Sequence, residues 1–145
     1  QVVISGIIED INKAKEILIL NGAKKFVNLN VSAAFHSRIM KKAEEKMKHK
    51  LSSFNFLDSI YSVVSNYSAG ATKDKNVIFN NLSKQMSNQV KWTESIQLLE
   101  NFNENNIIEV GPGNILSGLI KRISSKFTLH NFNDIKDIES IKNVI

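Results

Sequence analysis

The stretch "NIIEVGPGNILSGLIKRI", residues 106–123, admits few folds. A β-branched run is stopped by Gly111-Pro112-Gly113, which holds the only proline of the chain, and an amphipathic pattern begins at once. Proline cannot donate to a ladder and glycine tolerates backbone conformations closed to other residues. The stretch therefore reads as a strand (106–110), a tight turn, and a helix from about Asn114 to Ile123.

The alternation recurs along the chain. "QVVIS" is a short β-branched run ended by Gly6, and Ile7, Ile11, Ala14 and Leu18 then fall on one helical stripe that stops at Asn21-Gly22. "KKFVNLNVS" alternates Val27, Leu29 and Val31 against Phe26, Asn28 and Asn30, the pattern of a half-buried strand. Met40, Ala43, Met47 and Leu51 form the next helix face, with Lys and Glu around the rest as a solvated surface. "YSVVSN" (61–66) reads as a buried strand, and "SAGATKDK" as a loop. A helix is expected over about Asp74 to Ser87, with Ile78, Leu82 and Met86 on one face, and another is marked by Trp92, Ile96, Leu99 and Phe102. "KFTLHNF" and "DIESIKNV" close the chain as a strand and a helix. Strands alternating with helices predict an α/β fold with a substantially parallel sheet. At 145 residues and 42% hydrophobic content the chain can bury one ordinary core.

Charge and composition narrow the function. The net charge is +5, almost all of it lysine dispersed among acids, with Arg38 and Arg122 the only arginines. Nucleic-acid binders concentrate Arg and aromatics on one face, so no nucleic-acid partner is expected; an acidic partner is the second reading of the charge. No apolar run is long enough to span a bilayer, and no leader pattern follows Gln1. Zero cysteines exclude thiolate chemistry and suit a reducing compartment, so the expected location is cytoplasmic.

Few residues can carry chemistry. His36, His49 and His130 lack metal-ligand spacing, so no metal is expected. His49 sits between Lys48 and Lys50 and reads as solvated; His130 alternates with Thr128 and Lys126 and reads as surface. The glycines of 111–118 match no phosphate-loop pattern, which leaves a tight turn at the edge of a site. "NYSAG" lacks the first glycine of a nucleophile elbow, so Ser68 reads as a loop serine. His36 follows a predicted strand, and strand ends form the ligand crevice of α/β folds.

"QVVISG", "VSAAFHSRIM", "VVSN", "LSKQMSNQVKW" and "EVGPGNILSGLIKRI" occur in this order and at suitable separations. Together they resemble the C-terminal half of the malonyl-CoA:acyl carrier protein transacylases, over essentially the whole chain. The resemblance implies part of a hydrolase-like α/β large lobe (31–145) and the C-terminal part of an inserted ferredoxin-like small lobe (1–30). It implies that His36 is the catalytic base and that the backbone carbonyl of Gln85 orients it. It implies further that Phe35 restricts the acyl pocket to malonyl and that Ser37 lines the site. An imidazole can take and return a proton near pH 7, which both half-reactions of such an enzyme need.

Malonyl-CoA is then the substrate, and no bound cofactor is expected, the phosphopantetheine being carried by the acyl carrier protein. Because that partner is acidic, Lys24 and Lys25 are candidates for docking it. The nucleophilic serine, the carboxylate-binding arginine and the first oxyanion-hole segment of the family are expected before the point where this sequence begins, so the chain is read as half an active site. It departs from the family by lacking prolines near Ala34, Lys42, Ile60, Tyr61 and Gln89. Two alternatives stay open: an acyltransferase domain of a polyketide or multifunctional synthase, against which the ending "IKNVI" without a linker argues, and a non-catalytic relative that binds acyl carrier protein.

Overall fold

The structure, a computed structural model, describes residues 2–142. Two compact units divide the chain, Gln1–Val90 and Lys91–Ile145.

In the first unit, α1 (Ile8–Leu20) follows the predicted stripe. It ends because Gly22 takes φ +93°, which lets the N–H groups of Gly22 and Ala23 reach back to the carbonyls of Ile19 and Leu18. α2 (Lys41–Leu51) and α3 (Lys75–Lys84) pack against each other. Asp74 starts α3 by accepting from the N–H groups of Asn76 (2.7 Å) and Val77 (3.0 Å). Phe56 and Phe79 meet edge to face, with ring centroids 5.4 Å apart.

Several expectations fail here. No strand forms over 2–7 or 25–31, and Val27, Leu29 and Val31 are exposed. A strand needs a partner for its N–H and C=O groups, and none pairs with these stretches among the described residues. "YSVVSN" contributes only β1 (Val63–Val64), and its partner is the expected loop, which forms β2 (Ala71–Thr72) antiparallel to it. The solvated face of α2 also contains an exception: Glu44 is buried.

The second unit follows the sequence pattern more closely. α4 (Trp92–Leu99) precedes β3 (Asn106–Val110), α5 (Ile115–Ile123) and β4 (Thr128–Phe132). β3 and β4 pair in parallel, with Ile107 opposite Leu129 and Ile108 opposite His130. α4 stops before Phe102, which lies beyond it and is exposed. α6 (Ile138–Ile141) covers part of the expected last helix, whose Asn143 and Val144 lie outside the described residues. Ile96, Ile120 and Ile141 are buried. The turn needs its glycines, since Gly111 and Gly113 have φ +131° and +93°. No helix among the described residues is long and apolar enough to cross a membrane.

Candidate active site

His36 occupies a backbone conformation that few side chains adopt, with φ +62°. The left-handed region costs a non-glycine residue on the order of 1–2 kcal/mol, although histidine visits it more readily than most. Such a conformation persists only where neighbours over-determine it. Here the residue just after it begins a short turn: the Ser37 hydroxyl accepts from the N–H of Ile39 (3.3 Å) and donates to the Ala34 carbonyl (2.7 Å). The His36 N–H donates to the Met86 carbonyl at 2.9 Å.

The ring completes the arrangement. Nδ1 lies 3.0 Å from the carbonyl oxygen of Gln85 and 3.2 Å from that of Asn88. Carbonyl oxygens only accept, so Nδ1 carries the hydrogen, and the lone pair of the neutral ring is on Nε2. Nε2 has no hydrogen-bond partner among the described residues, and the residue is exposed. The geometry thus leaves a directed proton acceptor facing outward, with its other nitrogen tied to the protein.

The 85–88 segment that supplies these carbonyls follows α3 as a single tight turn, Gln85–Ser87. Glu44 of α2 reaches it. The carboxylate accepts from the Ser87 N–H (3.2 Å), the Ser87 hydroxyl and the Asn88 amide (3.4 Å), and it pairs with Lys41. Burial pushes the Glu44 carboxyl up. The Lys41 and Ser87 hydrogen bonds, with the Lys41 charge, outweigh that and hold it below the usual carboxylate range. The same bond to Glu44 raises the exposed Lys41.

Of the residues singled out from sequence, His36 and the Gln85 carbonyl are brought together across 49 positions of chain. Phe35 is 42% exposed, and Ser37 is half-buried with its hydroxyl engaged as above. Lys24 and Lys25 are exposed, as is His49. His130, expected at the surface, is half-buried, because the ladder seats it opposite Ile108 and within 3.2 Å of the Asn106 amide oxygen. Ser68 is an exposed turn residue whose hydroxyl accepts from the amides of Gly70 and Asn81. In the 111–113 turn, the N–H groups of Gly111 and Gly113 are taken by the Phe132 carbonyl and the Asn133 side chain. Those amides are not free to cradle a phosphate. No group of three or more metal-ligating side chains occurs among the described residues. Glu44 was missed: inside "KKAEEKMKHK" nothing local separates it from the solvated acid beside it.

No family model matches the chain. It is 37% identical over 139 residues to the malonyl CoA-acyl carrier protein transacylase of Bacillus subtilis, which covers 96% of this chain and 44% of that protein. The Staphylococcus aureus protein of the same name is 36% identical over 143 residues, covering 96% of this chain and 45% of its own length. A polyketide biosynthesis protein of Bacillus subtilis, PksE, is 41% identical over 128 residues, 87% of this chain and 16% of its own. Among solved structures, a malonyl-transacylase in complex with its type II PKS acyl-carrier protein superposes with TM-score 0.89 at 28% identity, covering 97% of this chain and 45% of that one. The Synechocystis malonyl-CoA:ACP transacylase gives 0.84 at 31%, covering 94% and 45%. The chain is thus α/β, like these transacylase structures. It is similar to the C-terminal part of the malonyl CoA-acyl carrier protein transacylases, and it spans under half their length.

Proposed function

We propose that this chain is the histidine-bearing half of a malonyl-CoA:acyl carrier protein transacylase of fatty-acid biosynthesis, acting in the cytoplasm. The observation that carries the reading is the state of His36: Nδ1–H is held by two carbonyls and the Nε2 lone pair is left free. A serine from the N-terminal half attacks the malonyl-CoA thioester while Nε2 takes its proton. The proton passes to the departing CoA sulfur, leaving a malonyl ester on the serine. The phosphopantetheine thiol of acyl carrier protein then gives its proton to Nε2 and attacks that ester, and the serine oxygen recovers the proton. The Gln85 and Asn88 carbonyls face the ring N–H as positive charge develops, so the imidazolium needs no carboxylate partner. No metal or bound cofactor enters.

In this reading residues 1–30 belong to a ferredoxin-like small lobe and 31–145 to a hydrolase-like large lobe. The N-terminal half supplies partners for the unpaired stretches 2–7 and 25–31 and covers exposed residues such as Val27 and Leu29. Phe35 crowds the place of an α-methyl group, Ser37 lines the site through its position, and Lys24 and Lys25 meet the acidic carrier. The match to a polyketide biosynthesis protein favours a second reading with the same chemistry and a polyketide carrier. Competition between the two carriers in one assay decides between them.

The test uses the chain joined to its N-terminal half. His36→Ala lowers malonyl transfer by about 10²–10⁴ with circular dichroism unchanged; a folded variant that keeps about a third of turnover overturns the assignment. In the same assay Phe35→Ser raises the methylmalonyl-to-malonyl ratio of kcat/KM by about tenfold or more. Reversing the charge of Lys24 and Lys25 raises KM for the carrier at low salt, and the effect fades as salt is added. An unmoved ratio, or an unmoved KM at low salt, removes the corresponding residue from the site.

A further inference from the structure

Glu44 is 4% exposed, yet it lies on a helix whose mean character is strongly polar and whose other acid, Glu45, is exposed. Burying a carboxylate is costly even when it is paired, and apolar replacements of buried ion pairs are often neutral or stabilising. Stability alone therefore does not account for a carboxylate here. Its partners do. Every donor it takes apart from Lys41 belongs to Ser87 or Asn88, 43 and 44 positions away. Asn88 is itself one of the two residues whose carbonyls face His36 Nδ1, and Ser87 lies between it and the other, Gln85.

The connections close a ring. His36 leads through the Arg38–Met40 turn directly into α2, α2 carries Glu44, and Glu44 grips 87–88. That segment returns three carbonyls to His36: Gln85 and Asn88 to Nδ1, and Met86 to the backbone N–H. The Asn88 amide adds a bond to the Lys84 carbonyl at 2.7 Å, tying the far side of the segment to the end of α3. Both carboxylate oxygens of Glu44 are engaged, and a polar network satisfied at that centre selects one arrangement over its neighbours, even though the Gln85 side-chain nitrogen is buried without a partner.

We propose that Glu44 is a positioning residue: its carboxylate fixes the 85–88 turn so that the Gln85 and Asn88 carbonyls receive Nδ1–H, and thereby it sets which ring nitrogen of His36 is the base. The proposal rests on the reading of His36 as the base, and its test separates the two. Full-length enzyme labelled with ¹⁵N-histidine reports the neutral tautomer of His36 directly. In the unaltered protein this is the Nδ1–H form. Glu44→Ala mixes in the Nε2–H form and lowers kcat for malonyl transfer by about 10–10²-fold, as displacement of a reacting group by about an ångström does. KM for malonyl-CoA stays within about twofold. Glu44→Gln, which keeps an oxygen for Ser87, recovers part of both. An unchanged tautomer in folded Glu44→Ala overturns the proposal, whether or not kcat falls, because the residue then acts by another route. If Glu44→Ala does not fold, Ser87→Ala removes only one hydroxyl, and the tautomer read there decides in the same way. Should His36→Ala keep its turnover while Glu44→Ala still shifts the tautomer, the catalytic reading fails and the positioning stands.

Discussion

Two carboxylates in this chain accept nearly the same donors and hold very different things. Glu109 takes the N–H groups of Leu116 (2.9 Å) and Ser117 (2.8 Å), the Ser117 hydroxyl and the Asn131 amide. Glu44 takes one N–H, the hydroxyl of the same serine and an asparagine amide, with Lys41 in addition. Apart from the Asn131 amide, Glu109 takes its donors seven and eight residues away, satisfying orphan N–H groups at the start of α5 just past the 111–113 turn. Glu44 works across more than forty residues, on the turn that seats His36. Their units differ in the same sense. Among the described residues the buried apolar side chains, Ile96, Ile120 and Ile141, all lie in 91–145 together with buried Ser95, Ser117 and Ser124, whereas the buried side chains of 1–90, Glu44, Asn81 and Ser83, are all polar. One unit thus buries apolar and polar side chains together, whereas the other withdraws only polar ones this far from water, each of which must find its partner.

That contrast can be broken by experiment. The largest difference is expected between Glu44→Ala and Glu109→Gln in full-length enzyme. The first loses turnover as described above, whereas the second lowers the melting temperature and keeps turnover within about twofold. If Glu109→Gln costs as much turnover as Glu44→Ala with its melting temperature unmoved, the division of labour is wrong.

Acid provides the next measurement. Serine and backbone hydrogen bonds depress the Glu109 carboxyl, and the Glu44 carboxyl is depressed despite its burial. A group whose folded value lies below its unfolded one binds fewer protons in the native state. Its contribution is complete above the unfolded value of about 4.5 and is lost as pH falls through the folded value. The urea midpoint should therefore drop as pH falls from about 5 toward 3. Glu44→Gln and Glu109→Gln should each flatten part of that drop. A Glu44→Gln profile parallel to that of the unaltered protein would show that the buried carboxylate is not the group titrating.

The smallest effect is expected at Gln85. His36 uses its backbone carbonyl, so Gln85→Ala should change kcat by only about twofold, within the cost of repacking one side chain. A loss equal to that of His36→Ala would mean that the amide itself takes part.

Much of the local structure was legible from residues near one another in the chain. Asn21-Gly22 ends α1 and the strand, turn and helix of 106–123 lie where the pattern puts them. α3 also starts where expected, capped by Asp74. The helix ends among these are set by interactions that span fewer than ten residues, a cap or a backward hydrogen bond, whereas β3 also needs β4 beside it. Alternation alone was less dependable. Val27, Leu29 and Val31 have the pattern of a half-buried strand and remain exposed, because a strand is completed by another strand and none pairs with them here. The stripe likewise put Leu82 on one face with Ile78 and Met86, yet Leu82 is exposed and Asn81 and Ser83 beside it are buried.

His36 could be singled out from sequence because "AFHS" stands among motifs shared with known relatives, and Gln85 came with it through the same resemblance. Their joint geometry was not in the pattern. The left-handed backbone at His36, the two carbonyls on Nδ1 and the burial of Glu44 depend on groups 43 to 52 positions apart. By itself the sequence determined which helices form and where α1 stops, since those follow from short-range hydrogen bonds and residue type; His36 came through the resemblance alone. Which nitrogen of that histidine is free, and which of two adjacent glutamates is withdrawn from water to hold it so, only the tertiary structure decided. Both depend on polar groups that meet only after α2 and α3 have packed.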